Sequence, residues 1–127
     1  MSVRQAGELD PVPPVPVHAD PHWGNYVVEG GRLYLVDWDQ VDLSDPWRDA
    51  GVQLWWHVPT ARWPEFVALR GATLDEALRN RIYWWAGFKA LRTGYWVDAR
   101  GDKRMAEAHA RAFVAAMARR DWDGKPD

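Results

Sequence analysis

Residues 25–36 constrain this chain more than any other stretch. Asn25-Tyr26-Val27-Val28 and Arg32-Leu33-Tyr34-Leu35-Val36 are short runs of β-branched and aromatic residues, with Glu29-Gly30-Gly31 between them. Paired glycines supply the positive φ that a tight hairpin turn demands and that a side chain resists. The segment therefore reads as a β-hairpin. Polar residues stand at both of its outer ends, so whatever lies just before Asn25 and just after Val36 is brought to one place.

The surrounding chain reads as mainly helical. Asp45-Pro46 is a helix start, with Asp as N-cap and Pro in the first turn. That helix is expected to run to Trp56 or His57, ahead of Pro59. A short helix follows over residues 62–69, ended near Gly71. Thr73-Leu74-Asp75-Glu76 has the form of a capping box and opens a long helix toward Tyr95, with Leu74, Leu78, Ile82, Trp85 and Phe88 at spacings of three or four. After Gly101-Asp102, a last amphipathic helix over residues 103–120 gathers Ala106, Ala110, Phe113, Val114 and Met117. Ahead of the hairpin, four prolines in residues 11–17 exclude a helix interior or a central strand. Extended polyproline-like chain is the reading there, serving as a stiff lead-in or as a ligand of the SH3 type.

At 127 residues the chain fits one domain with a core of its own. It has no cysteine, which excludes disulfides, thiolate metal sites and cysteine nucleophiles. No apolar run reaches membrane-spanning length, and the N-terminus lacks the apolar stretch of a secretory signal. A cytoplasmic enzyme with no membrane partner is expected. The net charge of -2 argues against a nucleic-acid footprint and is weakly compatible with a cationic substrate.

The chemistry sits around the hairpin's open end. Asp20 and Asn25 are separated by four residues, the spacing of a kinase catalytic loop. A carboxylate such as Asp20 can orient an acceptor hydroxyl and receive its proton. An amide oxygen such as that of Asn25 is a hard ligand suited to magnesium. Twelve residues beyond Asn25, the apolar run Leu35-Val36 ends in Asp37-Trp38-Asp39. The hairpin returns Asp37 beside Asn25, where it can hold magnesium that bridges phosphates.

His18-Ala19-Asp20-Pro21-His22-Trp23-Gly24-Asn25, then Leu35-Val36-Asp37-Trp38-Asp39, then Asp45-Pro46-Trp47-Arg48-Asp49, resembles the aminoglycoside phosphotransferase and choline kinase family. The match is specific over residues 17–52. The resemblance implies a protein-kinase-like fold that phosphorylates a small-molecule hydroxyl with ATP and Mg2+. It implies Asp20 as catalytic base, Asn25 and Asp37 as magnesium and nucleotide ligands, His18 as a brace of the catalytic loop, and Asp49 as a hydrogen-bond acceptor beneath it. Ala19 stands where that family often has glycine.

In that family a nucleotide-gripping lobe precedes the loop, whereas here 17 residues do, with no Gly-rich loop and no strand bearing a phosphate-pairing lysine. The expected fold is α+β and mainly helical, the C-terminal lobe of a kinase-like fold: a catalytic-loop hairpin, then about four helices. Residues 1–17 are expected to be a flexible Pro-rich lead-in and 18–127 a partial lobe, with the N-terminal lobe absent. Adenine would then have no roof and nucleotide would bind weakly. A missing lobe, or self-association through the uncovered face, is the expected protein partner. The alternative function is a non-catalytic kinase-like remnant that binds a partner or ligand.

Other residues leave alternatives open. His18, Asp20 and His22 alternate, and an extended strand would align them as a metal trio for a hydrolase, although Pro21 interrupts the segment. His22 is read as a solvent-facing loop residue or a substrate neighbour. Asp39 is an auxiliary metal contact or a loop carboxylate, and Asp42 a solvated one. Ten tryptophans, including Trp55-Trp56 and Trp84-Trp85, read as core, with one or two free to line an acceptor pocket. The acceptor is open among aminoglycoside, choline, sugar amine, homoserine and thiamine.

Overall fold

A computed structural model describes residues 9–122. Residues 1–8 of the expected lead-in lie outside that range. Four strands precede four helices: β1 (Val15–Val17), β2 (Tyr26–Glu29), β3 (Arg32–Leu35), β4 (Asp42–Ser44), α1 (Arg48–His57), α2 (Trp63–Leu69), α3 (Glu76–Ala99) and α4 (Lys103–Met117). The class is α+β and mainly helical. No helix among the described residues is long and apolar enough to cross a membrane.

β2 and β3 pair antiparallel as the expected hairpin, with Tyr26 opposite Leu35 and Glu29 opposite Arg32. Gly30 and Gly31 carry φ of +55° and +74°, the doubly left-handed turn whose twist matches the strands. The second ribbon corrects the polyproline-like reading of residues 15–17. β1 pairs antiparallel with β4, Pro16 facing Leu43. A two-stranded ribbon has only edges, so a proline that cannot donate to the ladder is tolerated there.

Two helix starts lie later than their sequence signals. α1 begins at Arg48, because Asp45 caps the turn ahead of the helix: its Oδ1 accepts from Trp47 N at 2.8 Å and its carbonyl from Arg48 N at 3.0 Å. Its other oxygen accepts from Arg81 and, at 3.0 Å, from Trp85 Nε1. Likewise Asp75, not Thr73, caps α3, accepting from Leu78 N at 2.8 Å. An ionised acceptor at the helix's positive end outcompetes the threonine hydroxyl. α3 also runs past Tyr95 to Ala99, and α4 stops at Met117, short of Arg120.

The core lies where α1, α2 and α4 meet α3. Trp55, Trp63, Val67, Ile82 and Ala86 are sealed within it. α3 and α4 approach through small residues, Ala86 and Ala90 on one and Ala112 and Ala116 on the other, all fully buried. That narrows the apolar stripe expected for α4, leaving Val114 exposed. α1 comes just as close to α3: a Cβ on Gly51 would stand 3.2 Å from Ile82 Cα. Trp85 and Phe88 take the Arg48 guanidinium of α1 at 5.3 and 5.7 Å from their ring centres.

Candidate active site

The segment from His18 to Asn25 is held from three sides. Below it, on the first turn of α1, Asp49 accepts from His18 N at 2.7 Å and from Ala19 N at 3.1 Å. At its centre His18 is almost fully buried. Its Nε2 donates to Val36 O at 2.7 Å, and its Nδ1 accepts from Asp20 N at 3.2 Å. One neutral imidazole therefore ties the backbone of Asp20 to the residue before Asp37. Trp38 packs edge-on against the ring at 4.7 Å. Both ring nitrogens are engaged with protein, which removes His18 from the alternating trio with Asp20 and His22. From α1, Gln53 donates to Pro21 O.

Ala19 adopts φ +70° while buried. This left-handed position explains why glycine suits it, and an alanine held there carries a strain that the Asp49 hydrogen bonds offset. Asp37 is also left-handed, at φ +61°. A non-glycine in that conformation at a strand end turns the chain sharply out of β3.

The hairpin ladder continues one pair beyond the strands, Val36 N donating to Asn25 O at 2.8 Å. Asn25 and Asp37 are thereby brought to the same open end. Asn25 is buried, and its Nδ2 donates to Asp20 O at 2.9 Å, so the amide oxygen remains its acceptor end. Burial, and next the Asp49 charge, push the neighbouring Tyr26 hydroxyl up, keeping it a neutral phenol. No three His, Cys, Asp or Glu side chains among the described residues cluster to hold a metal ion. An amide and a carboxylate oxygen are nevertheless a hard donor pair of the kind magnesium takes when phosphates and water complete its shell.

Asp20 faces the other way. It lines a cleft of about 480 Å³ formed with α1, α3 and α4. Its Oδ1 accepts from Lys89 Nζ at 2.5 Å and its Oδ2 lies 3.5 Å from His22 Nε2. His22 is exposed yet lines the cleft, and its Nδ1 accepts from Gly24 N at 3.0 Å, capping the turn that leads to Asn25. His22 is thus a solvent-facing loop residue at the edge of the cleft. Trp56 and Trp96 form cleft wall, whereas Trp55 is core. Trp56 Nε1 is buried with no hydrogen-bond partner among the described residues, a local cost of about 1–3 kcal/mol.

Lys89, Arg92, Trp96 and His109 line the same cleft and belong to no motif in the sequence. Lys89 lies 69 residues from Asp20. Their one sequence signal is helical spacing: Lys89, Arg92 and Trp96 recur at three and four along α3.

Asp49→Ala is expected to cost about 2–4 kcal/mol, since it strands two loop N–H groups that a carboxylate now satisfies. Urea denaturation checks the magnitude. Hydrogen exchange at His18 and Ala19 should accelerate beyond what global unfolding explains.

A model of the phosphotransferase enzyme family matches residues 3–85, well over half of the chain.

Proposed function

Because the chain belongs to the phosphotransferase enzyme family, the aminoglycoside phosphotransferase and choline kinase-like group, we propose that it carries the catalytic loop of an ATP- and Mg2+-dependent enzyme acting on a small-molecule hydroxyl. The reading rests above all on one observation. Asp20 lines a cleft, while Asn25 pairs with Val36, the residue before Asp37, and His18 ties the backbone of Asp20 to that same Val36. Acceptor and nucleotide would then meet across that loop, in the manner of a kinase-like lobe.

Asp20 would accept the proton of the acceptor hydroxyl as its oxygen attacks phosphorus, and Lys89 would hold the carboxylate in place. A positioned base of this kind contributes roughly 10²–10⁴-fold. Asn25 and Asp37 would hold the metal. When bound, magnesium supplies charge neutralisation on the phosphate oxygens. His18 and Asp49 would fix the loop so that the base and the metal ligands keep one spacing, which is where positioning enters the rate. The hairpin's outer face, with Val28 and Leu33 73% and 67% exposed, is the surface on which a nucleotide-gripping lobe would close. We place the chemistry in the cytoplasm, where ATP is abundant.

Titration of the chain with Mg-ATP should raise its melting temperature, and Asp37→Ala should abolish the rise. Saturation to about 100 times Kd is worth roughly 2.7 kcal/mol. Identical flat curves for both proteins would end this reading.

A further inference from the structure

We propose that the acceptor taken by this cleft is a hydroxyl-bearing organic anion rather than an amine; the inference rests on the phosphotransferase reading and deepens it. Three ionised side chains line the cleft: Asp20, Lys89 and Arg92. Asp20 is its one acidic lining residue among those described, and its carboxylate already carries the Lys89 ammonium. An ammonium on the acceptor would have to displace Lys89 to find a counter-charge.

Arg92, three residues along the same helix, donates at 3.0 Å to the neutral amide oxygen of Gln40. Its positive charge is thus balanced by no carboxylate in the cleft, and a guanidinium is the side chain best shaped to take a carboxylate or phosphate by two parallel hydrogen bonds. His22, His57 and His109 also line the walls, and none of them brings a negative charge. The whole chain has the opposite sign, with a net charge of -2. The excess of cations is therefore local.

The aromatic walls lead the same way. A cage for a quaternary ammonium needs open ring faces. Trp96 has the Arg100 guanidinium 3.5 Å from its ring centre, so that face already holds a cation. A volume of about 480 Å³ suits a single-ring or short-chain acceptor.

The test compares three pyranoses of nearly equal size: D-glucuronate, D-glucose and protonated D-glucosamine. Trp56 and Trp96 in the walls make the chain's own fluorescence the readout. Glucuronate should bind about three- to five-fold more tightly than glucose, and glucosamine more weakly than either, the modest size reflecting Arg92's exposure. Added salt should compress the series. Arg92→Gln, on an exposed side chain that the core does not use, should erase the preference. Glucosamine binding as well as glucuronate, an absence of glucuronate binding, or an order that survives Arg92→Gln would each overturn the proposal. The Mg-ATP melting titration reads the phosphotransferase function independently. A nucleotide shift without charge preference sinks this inference alone.

Discussion

Asp45→Ala should lower the unfolding free energy by about 3–5 kcal/mol, the usual result of removing one partner from a buried ion pair. Asp45 and Arg81 are both nearly buried. Arg81 bonds the Asp45 carboxylate through one amino group and the Asp10 carbonyl through the other. Trp85 and the Trp47 amide complete the carboxylate's contacts. With alanine at position 45, the guanidinium would stay in a low-dielectric setting with one backbone carbonyl for company. Domains are stable by only about 5–15 kcal/mol, so the loss is a large share of the total. Chemical denaturation monitored by tryptophan fluorescence gives the number. The paired change Asp45→Leu with Arg81→Met should recover only part of it: the buried charge is gone, but the Trp85 indole and the Trp47 amide still lose their acceptor. A single mutant that melts like the wild type would show the pair to be an ornament of the fold.

Asp20→Asn should separate chemistry from folding. Asparagine keeps the shape but is a far poorer base, so phosphoryl transfer to an acceptor should fall by about 10²–10⁴-fold. The lost contact with Lys89 is only partly buried and should cost no more than about 1 kcal/mol. Binding of Mg-ATP should be little changed, because Asn25 and Asp37 are untouched. Parallel turnover and melting measurements distinguish a base from a loop prop. If turnover and stability fell in proportion, Asp20 would be a structural residue.

What could be read before folding was local. Asp20, Asn25 and Asp37 lie within eighteen positions of one another, and the glycine turn between Asn25 and Asp37 makes the pairing of Asn25 with Val36 a matter of strand geometry. The helices announced themselves through breaks at Gly71 and Gly101. Reading failed wherever a partner came from far along the chain. Asp45 has the sequence of a helix cap, but its fate was decided by Arg81, 36 residues away. β1 was hidden because its prolines argue against a strand until a second edge, β4, comes to meet it. Trp55 and Trp56 are adjacent and chemically identical, yet one is sealed in the core and the other faces the cleft. Composition cannot separate neighbours whose difference is a rotation about a helix axis. The sign of the cleft was equally invisible, since net charge averages over residues that α3 segregates.

The Gly30–Gly31 turn makes the hairpin a ruler. Side chains alternate along a strand, so a slip of one position would send Asp37 to the opposite side of the ribbon and pull Val36 off the Asn25 carbonyl. The length of a loop at the far tip thereby sets how Asp37 lies relative to Asn25 at the open end. Adding a single residue between Gly30 and Gly31 would leave the helical core intact and put the measure out by one notch.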